Sequence, residues 1–229
     1  MEIDVAGKVI VVTGAAQGIG RTLALGLAAD GARVGCWPVT ASAHSSSSTR
    51  SPHLPMHRRH WGRVDALINN AGWMPGRHPV LEIDVAVLER VLQSNLVGAF
   101  VATKHFAPLM IRGGGGRIIY VSSIAGVQST AGGAAYGGAK AALNILTNVV
   151  HQELADDGIR TVAIAPGLTY TPGMREIITE DHIERVAAAY PGGRLGQPED
   201  IVALTTFLCS EAASHISGTV ITVRPPVTG

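Results

Sequence analysis

Residues 8–29 read KVIVVTGAAQGIGRTLALGLAA and decide how this chain is expected to fold. The run at residues 8–13 is apolar and rich in β-branched residues, which is typical of a strand buried on both faces of a parallel sheet. Gly14, Gly18 and Gly20 follow, and leucines and alanines then indicate a buried helix. A strand, a glycine turn and a helix in this order present backbone N–H groups and a helix N-terminus to a pyrophosphate. We therefore predict a dinucleotide site, against the alternative of a tight turn with close helix–strand packing.

Five further apolar runs predict the other strands of one parallel sheet, and helical patterns separate most of them. The chain has 229 residues, of which 46% are hydrophobic and 15% charged, so it can bury one large core. We predict a single α/β domain over residues 1–229. The predicted strands are residues 32–37, 64–68, 118–121, 161–165 and 218–223, and the predicted helices include residues 83–111, 141–154, a lid helix at 179–189 and a helix from Pro198.

Charge and cysteine content narrow the class of partner. The net charge is +1, which does not favour nucleic acid or an anionic membrane surface. Cys36 and Cys209 are too few for a disulfide framework, and no uninterrupted apolar run reaches the roughly 18 residues of a membrane helix. The N-terminal residues lack the pattern of a signal peptide. We expect a cytoplasmic protein with a small-molecule partner, and neither nucleic acid nor membrane.

Residues 117–140, RIIYVSSIAGVQSTAGGAAYGGAK, carry the predicted chemistry. Tyr136 and Lys140 are four apart at the start of a predicted helix and so share one face. A tyrosine titrates near pH 10, about three units above neutrality, and a nearby lysine ammonium is expected to lower that pKa. Tyr136 would then act as a general acid or base, while Ser123 hydrogen-bonds a substrate oxygen. The alternative is a chance pair on an exposed helix.

Other candidate residues follow the predicted strands. Asn70 and Gly72 come directly after residues 64–68, at the edge where ligands of open parallel sheets bind. Pro166 and Gly167 end a later strand, and Thr169 and Thr171 beyond them are candidate hydrogen-bond donors, or ordinary loop hydroxyls. Asn95 interrupts the apolar stripe of residues 83–111 and must satisfy its buried amide. Five residues are candidates for lining an apolar substrate pocket and are equally compatible with ordinary packing: Trp73, Met74, Val127, Leu168 and Tyr190.

Residues 38–60, PVTASAHSSSSTRSPHLPMHRRH, differ in composition from the rest of the chain. Serine, histidine, arginine and proline dominate, which predicts a flexible loop. The segment lacks the length and pattern for a further strand with its two crossovers, so we predict that the usual third strand and its adjacent helix are missing. Four histidines in this segment are candidate metal ligands: His44, His53, His57 and His60. Because the segment contains no acid or cysteine, we favour a solvated loop.

The second predicted strand is not followed by the acid that commonly binds the adenosine ribose of NAD. No Asp or Glu occurs between Asp30 and Asp65. Arginine near that corner suits the 2′-phosphate of NADP, whereas Gln17 in the glycine turn carries no positive charge. On balance we predict NAD or NADP, with a slight preference for NAD. The arginines in this stretch are Arg33, Arg50, Arg58, Arg59 and Arg63.

The ordered set of motifs resembles the classical short-chain dehydrogenases/reductases: TGAAQGIG at residues 13–20, NNAG at residues 69–72, then Asn95, Ser123, Tyr136, Lys140 and Pro166-Gly167. The resemblance implies a Rossmann-type doubly wound parallel sheet, NAD(H) or NADP(H), and a secondary alcohol or ketone as substrate. It assigns Tyr136 as the general acid/base. Lys140 would lower the pKa of that tyrosine and hold the nicotinamide ribose. Ser123, rather than Ser122, would position the substrate oxygen, and Asn95 would support a proton-relay water. The predicted cofactor-binding residues are Gly14, Gln17, Gly18, Ile19, Gly20, Asn70, Ala71, Gly72, Tyr136, Lys140, Pro166, Gly167, Thr169 and Thr171.

Two departures from the family lead to the alternative function. Residues 38–60 replace the helix, strand and helix that hold the adenine, and residues 223–226 read VRPP where the family typically has Val-Asp-Gly-Gly. The family pattern predicts a homo-oligomer, a dimer or tetramer, in which that tail takes part. The alternative to an oxidoreductase is a non-catalytic binding or assembly subunit. An altered reading frame, a deletion or true divergence would explain residues 38–60, and the coding DNA tests the frameshift.

Overall fold

The computed structural model describes residues 3–38, 62–175, 179–190 and 193–224. In these residues, parallel strands form one six-stranded sheet. The strands are β1 (Val9–Thr13), β2 (Arg33–Trp37), β3 (Ala66–Asn69), β4 (Gly116–Val121), β5 (Ile159–Pro166) and β6 (Thr219–Val223), in the order β2-β1-β3-β4-β5-β6. The predicted Rossmann-type parallel sheet is confirmed.

Helices cover both faces of the sheet. They are α1 (Gly18–Ala29), α2 (Val85–Leu92), α3 (Gly98–Arg112), α4 (Ala134–Leu154), α5 (Pro172–Arg175), α6 (Glu180–Ala189) and α7 (Pro198–Cys209). One apolar cluster joins the sheet to α1 and α7, through residues such as Leu23 and Ile201. A second cluster joins the other face to α3 and α4, through residues such as Phe106 and Leu143. The continuous β-branched strands therefore have helices packed on both faces of the sheet, as their sequence requires.

The strand order reverses next to β1. β2 and β3 lie on opposite sides of β1, with Thr13 beside Trp37 and Val12 beside Ile68. Such a reversal opens a crevice at the carboxyl edge of the sheet, where ligands of this fold class bind. Within the described residues β2 pairs only with β1. The loop predicted for residues 38–60 lies outside the described residues except for Pro38, as does the tail after Arg224.

The predicted helix at residues 83–111 is a continuous run of α2, a π-helical turn (Gln93–Val97) and α3. By length and composition alone, this run of 28 residues is apolar enough to cross a membrane. Core helices pass the same test, and here Phe106 and Met110 are buried against the sheet. The apolar pattern has a packing explanation for that face.

The described residues between β5 and α7 form a small unit, called the lid here, that follows the carboxyl end of β5. The predicted lid helix is α6, and Met174, Ile183 and Leu195 form a small apolar core of their own. Tyr170 N donates to Gly196 O at 2.8 Å, which ties the two ends of the lid together. α7 begins at Pro198 as predicted, and the Asp200 carboxylate accepts hydrogen bonds from Gln197 N at 2.7 Å and from the Arg194 guanidinium. These hydrogen bonds fix the backbone where the lid joins α7.

Candidate active site

The glycine turn packs directly against the loop after β3. Gly14 has a φ of +66°, and a Cβ at this position would lie 2.7 Å from the Cα of Ala71. A Cβ on Gly20 would collide with the Asn70 amide and the Gly14 carbonyl. Gly14 and Gly20 therefore permit close packing, which was the alternative explanation for these glycines. That packing brings the two loops together at the carboxyl edge.

The N-terminus of α1 remains available to an anion. The N-cap residue Gln17 makes no side-chain capping hydrogen bond, and the first turn carries no acid. Gly18 has a φ of +52° and faces the side chain of Thr171 across the crevice. Uncapped N–H groups and the positive end of the helix dipole suit a pyrophosphate. The residues of this turn fit the dinucleotide that the sequence predicts.

Thr13 and Asn70 connect the glycine turn to the next strand. The Thr13 hydroxyl accepts hydrogen bonds from Asn70 N and Ala71 N, both at 3.0 Å. The Asn70 amide donates to Thr13 O at 3.1 Å and Gly14 O at 3.2 Å. Asn70 thus holds the loop in place, and Gly72 beyond it is exposed in the crevice. The part played by Thr13 was missed at the sequence level, because only its position in a strand was used.

Ser123, Tyr136 and Lys140 lie together where β4 meets α4. Ser123 lies beside the Tyr136 phenol, and its own hydroxyl accepts from Ala125 N at 3.1 Å. Lys140 is buried, with Nζ 5.6 Å from the centroid of the Tyr136 ring and 2.7 Å from Val121 O. Ser122 points elsewhere and donates to Lys140 O at 3.1 Å. The geometry therefore places Ser123, not Ser122, beside the tyrosine.

Burial controls the pKa values of this pair. Desolvation raises the pKa of the Tyr136 phenol, and the polar side chain of Ser123 opposes that rise. Desolvation also lowers the pKa of the Lys140 ammonium to about 7. The sequence expectation that Lys140 lowers the pKa of Tyr136 is not met in this structure, because the lysine is itself deprived of water and is a weak source of positive charge. Tyr136 is a neutral phenol here at neutral pH.

Asn95 lies in the π-helical turn and is completely buried. Its amide nitrogen donates to Trp73 O at 2.8 Å and to Val91 O at 3.0 Å. Its Oδ1 is buried without a hydrogen-bond partner and faces Gly72, beside which Lys140 Nζ also lies. A buried acceptor of this kind ordinarily has a donor such as water. The donor half of Asn95 is therefore structural, and its acceptor half is free for another group.

The residues after β5 are partly engaged in local structure. Gly167 N donates to Val223 O, and the Thr169 hydroxyl donates to Gly167 O at 3.1 Å. The Thr171 hydroxyl accepts from Met174 N at 3.3 Å. Thr169 is buried and bound within its own loop, whereas Thr171 faces the glycine turn. Of the two threonines, Thr171 has the better position for a bound cofactor.

Two of the five arginines proposed for a 2′-phosphate lie at the wrong edge of the sheet. Arg33 begins β2 and is paired in register with Val9, at the amino edge. Arg63 precedes β3 at that same edge and forms an ion pair with Asp65. Strand direction, which composition does not reveal, separates both from the glycine turn. Arg50, Arg58 and Arg59 lie outside the described residues.

The proposed pocket residues divide between packing and exposure. Leu168 and Tyr190 pack into the apolar core of the lid. Trp73 packs in the same cluster as Tyr136 and stacks under the Arg90 guanidinium, which lies 4.0 Å from its ring centroid. Met74 is half-buried and Val127 is 54% exposed. Trp73 is therefore the candidate that borders the tyrosine, while Leu168 and Tyr190 have a structural explanation.

No group of three metal-binding side chains occurs among the residues that the structure describes. His44, His53, His57 and His60 lie outside them.

Comparison with known proteins extends over nearly the whole chain. Residues 55–224 match the family model described as enoyl-(acyl carrier protein) reductase. The cis-4-hydroxycyclohexanecarboxylate dehydrogenase of Sinomonas cyclohexanicum is 35% identical over 240 residues, covering 95% of this chain and 95% of that protein.

Two solved structures share the fold. A 7α-hydroxysteroid dehydrogenase complexed with NADH and 7-oxo glycochenodeoxycholic acid has a TM-score of 0.86 and 30% identity, covering 99% of this chain and 96% of that chain. A Beutenbergia cavernae protein assigned as an NAD(P)-dependent gluconate 5-dehydrogenase, with bound NADP, has a TM-score of 0.83 and 32% identity, covering 96% of each chain.

Proposed function

This chain belongs to the classical short-chain dehydrogenase/reductase family, and on that premise we propose that it transfers a hydride between NAD(P) and a secondary alcohol or ketone. The observation that carries the proposal is that Ser123 and Lys140 both lie beside Tyr136, near an exposed Gly72 at the carboxyl edge of the sheet. A proton donor therefore lies at the edge of the sheet where ligands of this fold class bind.

The glycine turn and the two strand-end loops would hold the cofactor. The uncapped N-terminus of α1, with Gln17 to Gly20, suits the pyrophosphate. Gly72 leaves the nicotinamide side open, and Thr171 faces Gly18 from the opposite wall. When bound, NAD(P) supplies the hydride donor or acceptor. Because Gln17 is neutral and Arg33 and Arg63 lie at the other edge, we propose a preference for NAD.

Ser123 and Tyr136 would act on the substrate oxygen. Burial favours the protonated phenol, so Tyr136 is prepared to donate its proton to the oxygen of a ketone as that oxygen gains negative charge. Ser123 stabilises the same oxygen with a hydrogen bond. In the oxidation of an alcohol the proton moves in the opposite direction, from the substrate to Tyr136.

Lys140 and Asn95 would restore the proton on Tyr136. With a pKa of about 7, the Lys140 ammonium can release and regain a proton at neutral pH. The partnerless Oδ1 of Asn95 lies on the same side of Gly72 and can accept from a water that exchanges with Lys140. Lys140 is thus proposed to relay protons and to contact the nicotinamide ribose.

We also propose a homo-oligomer, built first on a dimer through the outer face of α3 and α4. Large apolar side chains on this face are exposed, with Phe100 at 51% and Ile145 at 68%. A second copy would cover them and reduce the cost of their exposure. We propose a cytoplasmic location together with the dimer, because a second copy, rather than a membrane, would then cover the apolar helix. Light scattering tests it: Phe100→Asp with Ile145→Asp should yield monomers, and a wild-type monomer would contradict it.

A cofactor titration decides between the enzyme and the non-catalytic alternative. NADH and NADPH are titrated separately into the protein by calorimetry and by nicotinamide fluorescence. Binding at millimolar concentration or tighter supports the oxidoreductase, with NADH the tighter. If neither binds, the oxidoreductase proposal is wrong and the non-catalytic subunit is favoured.

A further inference from the structure

The loop after Gly72 leads to the first turn of the catalytic helix. Trp73 O accepts from the Asn95 amide, and His78 N donates to Gly132 O at 3.0 Å. Gly132 has a φ of +78°, and a Cβ there would lie 3.0 Å from the Cβ of Arg77. These contacts fix the Arg77 backbone beside the turn that precedes α4.

Arg77 is within reach of the substrate side of Tyr136. Gly133, the N-cap of α4, precedes Tyr136 by three residues or about 5 Å, and Gly132 adds at most about 4 Å more. The guanidinium of an extended arginine lies about 5 Å from its Cβ. A ligand whose oxygen meets Tyr136 can therefore place a second group against Arg77 at a separation of roughly 5 to 10 Å.

Arg77 is exposed and has no acidic partner in the part of the chain that the structure describes. Other arginines are engaged: Arg63 pairs with Asp65, and Arg194 pairs with Asp200. Among the acids nearest to Arg77 in sequence, Asp84 accepts from Ala86 N at the start of α2, and Glu82 makes no ion pair with it. The charge on Arg77 is therefore available to a ligand.

The Trp73 side chain forms an apolar wall beside Tyr136, on the same loop that carries Arg77. The Trp73 indole packs in the same cluster as Tyr136, and the Arg90 guanidinium covers one side of it at 4.0 Å. A cation over an indole is held by the ring quadrupole, so Arg90 stiffens this wall. The arrangement suits a ligand with a reactive oxygen, an apolar body and an anionic end.

We infer that Arg77 determines specificity for a carboxylate on the substrate, which makes oxo acids and hydroxy acids the substrate class of this site. The inference rests on the proposed function. The planar guanidinium of arginine binds a carboxylate through two parallel hydrogen bonds, which gives it both affinity and orientation. The carboxylate pairs with Arg77 while the oxo or hydroxy group meets Ser123 and Tyr136.

Matched acid and ester probes test the inference. Levulinate and 4-oxocyclohexanecarboxylate are each compared with their methyl esters, which keep the ketone and remove the negative charge. Turnover is followed by NADH oxidation. Binding of cyclohexanecarboxylate and of its methyl ester to the protein, with and without NADH, is measured by calorimetry, so that the recognition of the anion has a readout independent of chemistry.

The variants are Arg77→Gln, Arg77→Lys and the control Arg112→Gln. Arg112 ends α3 at the opposite edge of the sheet and is also exposed. We expect Arg77→Gln to reduce the ratio of acid to ester kcat/KM by about tenfold to a hundredfold. Arg77→Lys should retain part of the ratio, because it keeps the charge but loses the two-point contact. Arg112→Gln should leave it unchanged.

The outcomes separate this inference from the proposed function. If wild type binds the acid no better than the ester, or if Arg77→Gln leaves their ratio unchanged, Arg77 does not select a carboxylate. If the acid binds in an Arg77-dependent manner but NADH is never oxidised with any ketone, the hydride-transfer proposal is wrong while the carboxylate site stands. Thermal denaturation verifies that each variant is folded.

Discussion

Replacing Lys140 with methionine should stabilise the protein at low pH and lose that advantage at high pH. Lys140 is only 3% exposed, and burial lowers its pKa from the ordinary value of 10.5 to about 7. At about 1.4 kcal/mol for each pH unit, this difference corresponds to a cost of about 5 kcal/mol for keeping the ammonium buried below pH 7. Methionine has a similar length and carries no charge.

Two effects reduce the expected gain. The variant loses the hydrogen bond from Lys140 Nζ to Val121 O, and a buried carbonyl without its donor costs about 1 to 3 kcal/mol. Relaxation of the site offsets a further part of the charge penalty. We therefore expect Lys140→Met to raise the free energy of unfolding by about 2 kcal/mol at pH 6.

The pH dependence has a defined sign. Between pH 7 and 10.5 the unfolded chain binds a proton at Lys140 that the folded protein does not bind, so wild-type stability rises with pH in this window. The advantage of Lys140→Met should therefore shrink by about 1.4 kcal/mol for each pH unit above pH 7, vanish at about pH 8.5 and reverse by pH 10. Other titrating groups, such as Cys36 and Cys209, occur in both proteins and cancel in the difference.

Urea denaturation followed by circular dichroism measures both curves at pH 6, 7, 8, 9 and 10. Lys104→Met is the control, since Lys104 is exposed on α3 and its replacement should change stability by less than about 0.5 kcal/mol at every pH. A difference between wild type and Lys140→Met that stays flat across this range would refute the buried-ammonium explanation. So would a variant that is less stable than wild type at pH 6.

Further predictions concern the proton donor and the glycine turn. Tyr136→Phe should abolish turnover and leave cofactor affinity nearly unchanged, and residual turnover in the variant would contradict the assigned acid. Gly14→Ala should cost at least about 2 kcal/mol of stability and weaken NADH binding, because Gly14 has a positive φ and an added Cβ would collide with Ala71. Gly138→Ala, an exposed helix position with free space around it, should instead gain about 0.5 to 1 kcal/mol; equal effects of the two would contradict the packing. Thr13→Val should cost about 2 kcal/mol, because Asn70 N and Ala71 N lose their acceptor, as denaturation would measure.

Local pattern predicted most of the fold. Buried parallel strands are continuous β-branched runs, so each of them could be recognised without its neighbours. The same holds for the glycine turn and for the spacing of Tyr136 and Lys140, since the helical period alone brings them to one face. What these predictions share is that a few adjacent residues determine the result.

Features that depend on tertiary contact were not predicted. The edge of the sheet at which Arg33 lies follows from strand direction and register, which a composition argument does not contain. The low pKa of Lys140 follows from the loss of water around it, whereas the sequence suggests only a charged neighbour for Tyr136. For Leu168 and Tyr190 the sequence leaves a pocket and ordinary packing equally open, and only the contacts with Met174 and Ile183 place them in the apolar core of the lid.

The separate apolar core of the lid has a consequence for how the protein opens. Met174, Ile183 and Leu195 pack with one another and belong to neither of the two clusters on the sheet. Local opening of this unit exposes only its own small core, so it costs less free energy than global unfolding. Amide protons of α6 should therefore exchange with deuterium well before those of α4, by a sub-global route. Access to the crevice is therefore set by the free energy of local opening of the lid, whereas protection of the sheet is set by the free energy of global unfolding.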